Sequence, residues 1–207
     1  PSTAPSPRMG HAMAYDPVGG GILLFGGADQ NWQLGDTWRW AGTTWTQLTP
    51  TTSPAPREDH AMTLDVCRGR ILLFGGYASG DGTIEYLGDT WEWNGATWVR
   101  LYPQASPSPR LLSAMTSDLR RGRTVLFGGS TESGGSNDTW EWNGVTWTLI
   151  AADRDVSPPL VGPGQPGFVY PSRRWGHALA FDPFRGRVVT IGGWSDLEDP
   201  FWSWDGA

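Results

Sequence analysis

Lysine is absent from this chain. All 15 basic residues are arginine, and they are dispersed rather than clustered. Against 21 acidic residues they leave a formal net charge of −6. That balance makes nucleic acid and anionic membrane poor partners, since both are bound through clustered cations. Cysteine occurs once, at Cys67, so no disulfide can form within the chain. A single thiol fits a reducing compartment and equally a secreted domain whose core needs no cross-link, so localisation stays open. No apolar run approaches the ~20 residues that span a bilayer. No signal peptide opens the chain, although a processed chain would lack one too. Helical periodicity is missing throughout, while β-branched and aromatic residues are frequent.

What is abundant is tryptophan and glycine, 14 and 29 in 207 residues. Eleven of the Trp recur at matching places: 38, 40, 45; 91, 93, 98; 140, 142, 147; 202 and 204. They lie in "GDTWRWAGTTWTQL" at 35–48, "GDTWEWNGATWVRL" at 88–101, "NDTWEWNGVTWTLI" at 137–150 and the shorter "PFWSWDGA" at 200–207. Each unit begins with Pro/Ser-rich coil ending in Arg8, Arg57, Arg110 or Arg174. A short strand pattern follows ("HAMAYD", "HAMTLD", "SAMTSD", "HALAFD"), then a tight turn. Next come the apolar runs "ILLFGG", "ILLFGG", "TVLFGG" and "VVTIGG". The glycine doublets start at 26, 75, 128 and 192, giving periods of 49, 53 and 64 residues. Four short strands per period near fifty is the pattern of propeller blades, so the sequence predicts an all-β fold.

These residues resemble the kelch family: the Arg-x-x-His start, the Gly-Gly doublet after an apolar strand and the downstream Trp pattern, in four registered copies. The Trp-x-Trp-Asn-Gly-x-Thr-Trp form is similar to the bacterial variety. The resemblance implies a β-propeller of four-stranded antiparallel blades, with the first strand of each lining the axis. Blades are expected over about 8–50, 57–103, 110–151 and 174–207, in one domain, with 152–173 as a long insertion between the third and fourth. Three blades are complete; the fourth lacks its last strand, and Ser113 replaces the third His. Because kelch propellers usually close with more blades, three readings compete. The chain is a piece of a longer propeller, a small ring with irregular closure, or a unit whose copies associate through the incomplete blade.

Alternate turns of an up-and-down blade lie on opposite faces. One face carries short uniform turns, with Asp16, Asp65, Asp118 and Asp182 as turn formers. The other carries variable segments at 28–34, 77–87, 130–136 and 194–199, and function is expected there, near the channel mouth. Trp32, Tyr77, Tyr86, Trp175 and Trp194 lie outside the repeated core positions and are ligand-binding candidates, with covering their own loops as the rival reading. Asp29, Asp81, Glu85, Asp196, Glu198 and Asp199 make this face acidic and favour a cationic peptide or a hard cation such as calcium. Ordinary solvated carboxylates are the plainer account.

Arg8, Arg57, Arg110 and Arg174 form a repeated set able to hold carboxylates or phosphates, but repetition favours structural pairing, with Asp36, Asp89 and Asp138 as natural partners. His11, His60 and His177 occupy one equivalent position, the beginnings of a metal site in principle; the repeat itself calls for His there, so no metal and no cofactor are expected. Enzymatic motifs are missing. Some kelch proteins are enzymes, including copper radical oxidases and sialic acid mutarotases, but the oxidase needs a Cys–Tyr cofactor, and Cys67 falls in a turn on the opposite face. The sequence therefore predicts a non-enzymatic module binding a protein or peptide. A carbohydrate-binding propeller and an enzyme with a channel-mouth site built on His11, His60 and His177 stand as alternatives.

Overall fold

The computed structural model describes residues 4–80, 83–153, 171–195 and 201–205. Every regular element among them is a β-strand. The first sheet runs Ala12–Asp16, Gly21–Phe25, Thr37–Trp40, Trp45–Leu48, each strand antiparallel to the next. The second repeats this with Ala61–Asp65, Arg70–Phe74, Thr90–Trp93 and Trp98–Leu101. The third uses Ala114–Asp118, Arg123–Thr131, Gly134–Trp142 and Trp147–Ala151. The fourth holds Ala178–Asp182, Arg187–Ile191 and Phe201–Trp204. These are the blades of a β-propeller, three complete and a fourth with three strands among the described residues. Their first strands pack side by side in chain order around the axis.

The uniform face is built by side chains that imitate backbone. The Asp16 carboxylate accepts from the amides of Val18 and Gly19, that of Asp118 from Arg120 and Arg121, and that of Asp182 from Phe184 and Arg185. Asn94 and Asn143 do the same in the Trp–Trp hairpins. Such short polar side chains close a turn without a longer loop. The opposite face differs from the sequence expectation in two places. Residues 77–87 contain an extra hairpin, Tyr77–Gly80 with Thr83–Tyr86. Residues 130–136 belong to the prolonged second and third strands of the third blade. Both segments are rich in Gly, Ser and Thr, which read as loop when no neighbouring strand is considered.

The blades are glued by tryptophan. Trp93 and Trp98 pack at 5.5 Å between ring centroids and are 1% and 0% exposed, buried against Leu23, Phe25 and Leu48 of the blade before. Trp142 and Trp147 repeat this against Ala61, Leu72 and Phe74. The Trp98 indole N–H donates to Thr37 Oγ1 and that of Trp147 to Thr90 Oγ1, both at 3.1 Å, so neither buried donor is left unpaired. Burying one Trp removes about 150–250 Å² from water, roughly 4–6 kcal/mol as an upper bound. A hydrogen bond adds only about 1 kcal/mol net. Packing therefore sets the strength of the seam and the hydrogen bonds set its register.

A histidine wedges each of two seams. The His60 ring meets Phe25 edge-on at 5.5 Å, and His177 meets Phe127 at 5.3 Å. In the seam between the second and third blades Ser113 stands at this position, its buried hydroxyl has no hydrogen-bond partner, and no side chain closes over Gly75 as His60 closes over Gly26. Filling that space by Ser113→His is expected to stabilise the protein by about 1 kcal/mol, or about 2–4 °C in melting temperature, read by calorimetry. An unchanged or lower melting temperature would show that the seam has already closed around serine.

Candidate binding face

The glycine doublet ends the second strand of each blade and turns the chain towards the variable face. Gly26 and Gly27 have φ of 64° and 89°, which L side chains rarely adopt. A Cβ on Gly26 would lie 2.6 Å from the Arg57 carbonyl and one on Gly27 2.6 Å from that of Met9. That closeness is used: Gly27 N–H donates to Arg57 O at 2.9 Å and Gly76 N–H to Arg110 O at 2.8 Å, each bond joining one blade to the next.

The same arginines look inwards with their side chains. Arg57 grips both carboxylate oxygens of Asp89 at 2.6 and 2.9 Å, and its Nη1 also reaches Gly75 O at 3.0 Å. Arg8 holds Asp36 and Arg110 holds Asp138 in the same way. The carboxylates also accept the indole N–H of Trp38, Trp91 and Trp140. Burial alone would raise these acids; the arginine hydrogen bonds and charge outweigh it and hold Asp36, Asp89 and Asp138 below the usual carboxylate range. Arg174 binds Gly192 O and Ser172. Arg57, Arg110 and Arg174 are each 1% exposed. The arginine set is thus placed inside the blades, beneath the variable face.

Two of the histidines, His60 and His177, are equally interior, while His11 is half-buried. His60 is 6% exposed, and neither ring nitrogen has a protein hydrogen-bond partner. Burial, then the nearby Arg57 charge, pushes its pKa down to about 3; burial and Arg174 push His177 down to about 4. Both are neutral at physiological pH. Among the described residues no three His, Cys, Asp or Glu side chains are placed to share a metal ion.

Beyond the doublet each blade adds one cross-strand rung at the channel mouth: Met9 with Ala28, Glu58 with Tyr77, Leu111 with Ser130, and Trp175 with Trp194. Met9 is 72% and Trp194 74% exposed. Trp175 lies across the third blade's hairpin, where a Cβ on Gly135 would come within 2.7 Å of its ring. Trp32 is 77% exposed. It is displayed on a fixed turn: Asp29 accepts from the amides of Asn31 and Trp32 at 2.8 and 2.9 Å, and these bonds lower its pKa.

Gln33 ties this loop to the next blade, donating to Glu58 at 3.0 Å and accepting from the Ser79 hydroxyl at 2.7 Å. The Tyr77 pKa is pushed up to about 12 by burial and by its hydrogen bond to Glu58. Tyr86 pairs across the hairpin with Tyr77, and Glu85 is exposed beside it. Trp32, Tyr77, Glu85 and Tyr86 therefore share one side of the mouth, and Trp175 and Trp194 form a second aromatic pair on the fourth blade. Asp81, Asp196, Glu198 and Asp199 lie outside the described residues.

The next residues inwards were not singled out by the sequence. Gly10, Asp59, Leu112 and Gly176 all have positive φ, of 63°, 55°, 54° and 64°. Asp59 N–H donates to Gly10 O, Leu112 N–H to Asp59 O and Gly176 N–H to Leu112 O, at 2.8, 2.8 and 2.9 Å, an arc of backbone bonds round the channel. Burial and the neighbouring Glu58 raise Asp59 to about 6. The signal was present: these are the two variable places inside Arg-x-x-His, read as Met-Gly, Glu-Asp, Leu-Leu and Trp-Gly.

A family model described as the KLHDC2/KLHL20/DRC7 Kelch-repeats domain matches residues 1–104. No curated protein matches the chain.

Two outcomes follow from this geometry. Asp138→Ala leaves the Arg110 guanidinium buried without its counter-charge, and a loss of about 3–5 kcal/mol is expected in chemical denaturation. The histidines give a pH dependence. Their folded pKa values lie below the ordinary 6.5. The stability they confer is therefore complete above pH 6.5 and is lost as pH falls towards 4 and then 3. Asp59 opposes this, since its raised pKa favours the folded state at low pH and the benefit is lost as pH rises through about 6. Comparing wild type with a His60→Gln/His177→Gln variant cancels the Asp59 contribution. The variant's melting temperature is expected to vary less between pH 6.5 and 4, and an identical slope would refute the assignment.

Proposed function

The chain belongs to the kelch-repeat family, and we propose that it is a non-enzymatic binding module that takes a protein or peptide on its variable face, at the channel mouth. Kelch propellers are protein-interaction modules in general. The observation that carries the specific reading is the pairing of exposed aromatics with unbalanced negative charge on that face. Trp32, Trp194 and Met9 are each more than 70% exposed. Large apolar groups held out on braced turns anchor partners at little cost in conformational freedom.

Around them lie Asp29, Glu58, Asp59, Glu85 and Glu132, with no salt bridge to any of them among the described residues. The chemistry matches a peptide that alternates apolar or aromatic side chains with arginine or lysine, whose cations meet the carboxylates and the faces of the indoles. Glu58, Gln33, Ser79 and Tyr77 brace two of the elements, so the face is formed before the partner arrives.

A carbohydrate ligand is the second reading, supported by the exposure of Trp32 and Trp194, on which a sugar ring can stack.

The test is a binding screen of the purified chain against cationic–aromatic peptides, with neutral and acidic peptides and a glycan panel alongside. Cationic peptides are expected to bind, more weakly as salt rises. Trp32→Ala with Trp194→Ala should weaken them by about tenfold or more, the effect of losing a binding hot spot. Binding that is indifferent to both tryptophans, or confined to acidic peptides, would overturn the proposal. Quenching of tryptophan fluorescence by sugars alone would transfer the face to the second reading.

A further inference from the structure

The extra hairpin of the second blade has one occupied edge and one bare edge. Leu87 N–H donates to Gly76 O at 2.9 Å, so these two residues form a hydrogen-bonded pair. Such pairs alternate along an antiparallel ladder. By the hairpin's register the next ones are Ala78 with Glu85 and Gly80 with Thr83. The backbone groups of Tyr77 and Ser79 therefore point away on one side, and those of Ile84 and Tyr86 on the other.

The first edge is used. Tyr77 exchanges both backbone bonds with Glu58, at 3.0 and 3.1 Å, and Ser79 N–H donates to the Gln33 side chain at 3.3 Å. The second is bare. Among the described residues no hydrogen bond reaches the outward N–H and C=O of Ile84 or Tyr86. The fourth strand of the blade ends at Leu101, opposite Thr90, and stops short of the hairpin. Ile84 is 64% exposed, and Glu85 is exposed beside it. An unpaired strand edge is a template for another chain. This one is braced from behind by Glu58 and Gln33, so the strand is already shaped when a partner arrives.

We propose that an extended peptide adds to Thr83–Tyr86 as an antiparallel strand, with a basic residue facing Glu85 and apolar residues facing Ile84 and Tyr86. This rests on the reading of the variable face as a peptide-binding surface and names what holds the peptide's backbone. Ile84 and Tyr86 each offer a donor and an acceptor to the added strand. Glu85 lies between them, its own backbone groups turned inwards, at the kind of pair where facing side chains come closest. A carboxylate there favours arginine or lysine. It disfavours a second copy of this chain, which would set Glu85 close to its own equivalent, and like charges on facing strands repel. The period of two along a strand then asks for apolar and basic residues in alternation.

The probe is a peptide of alternating valine and arginine, titrated against the purified chain by calorimetry, with versions N-methylated on every valine or on every arginine. With valine facing Ile84 and Tyr86, the valine amides face the edge and the arginine amides face solvent. Methylating the valines is expected to weaken binding by about tenfold or more, and methylating the arginines to leave it level. Ile84→Pro removes the outward N–H at a kind of position where edge strands tolerate proline, and should weaken the parent peptide by about tenfold. Thermal melts verify that this variant folds, and the methylated peptides test the same point on the unaltered protein. Glu85→Arg should weaken the parent peptide by about threefold at low salt, the size of one cross-strand charge pair.

Trp32→Ala with Trp194→Ala separates the two proposals. Binding that needs the tryptophans but responds alike to both methylations and ignores Ile84→Pro overturns strand addition alone. Binding that follows the methylation pattern but ignores the tryptophans overturns those anchors and supports the edge. If this peptide fails to bind while cationic–aromatic peptides succeed, strand addition falls; if neither binds, both proposals fall.

Discussion

Everything in this propeller hangs on a buried arginine at the start of each blade. A guanidinium 1% exposed, as in Arg57 and Arg110, is costly to withdraw from water unless its charge and its donors are met. Here a carboxylate takes two donors, a glycine carbonyl shares one, and Nε reaches the chain two residues back. The carboxylate so fixed also receives the first Trp of the Trp-x-Trp strand. With the side chain anchored in its own blade, the arginine's backbone carbonyl is held out towards the glycine doublet of the blade before. One residue thereby sets both the interior of a sheet and its distance from a neighbour. Lysine, with one compact ammonium and no fork, cannot make the paired contact, which gives a physical reading of the absence of lysine at these positions.

The fold was readable from sequence because each of its contacts is written several times. Strand order, the doublet, the Arg–Asp pairing and the Trp seams all recur, and a pattern repeated in register is hard to mistake. What repetition conceals is context. Trp93 and Trp40 occupy the same place in nearly the same motif, yet one is 1% exposed and the other lines an open groove. The difference lies wholly in whether another sheet stands in front of them, and no local pattern carries that information. The extra hairpin at 77–86 was hidden for a related reason: its two strands are short and the Gly-Asp-Gly at their junction reads as loop.

The candidate face was only partly legible. The exposed aromatics stood out because they fall outside the repeat. Glu58, Asp59 and Leu112 did not, since they sit inside a repeated motif at places the motif leaves free. Asp59 and Leu112 are set apart by geometry, a left-handed backbone position facing the channel, which Leu112 adopts at φ 54° despite its bulk. The arginines and histidines went the other way. Their chemistry invites a functional reading, and the structure places both in seams and interiors. Charge follows the same division: the acids of the uniform face mostly cap turns and pair with nearby arginines.

The arc of backbone bonds from Gly176 through Leu112 and Asp59 to Gly10 points one way. Each donor belongs to the later blade and each acceptor to the earlier one. The buried Trp pairs of the second and third blades obey the same order, each resting on the sheet that precedes it in the chain. A ribosome delivers the chain in that direction too. When the second blade emerges, the surface that will cover its tryptophans has already been made, and the third finds the second waiting in turn. The molecule is laid down like courses of masonry, the buried tryptophan pairs of the second and third blades each bedded on a sheet already made.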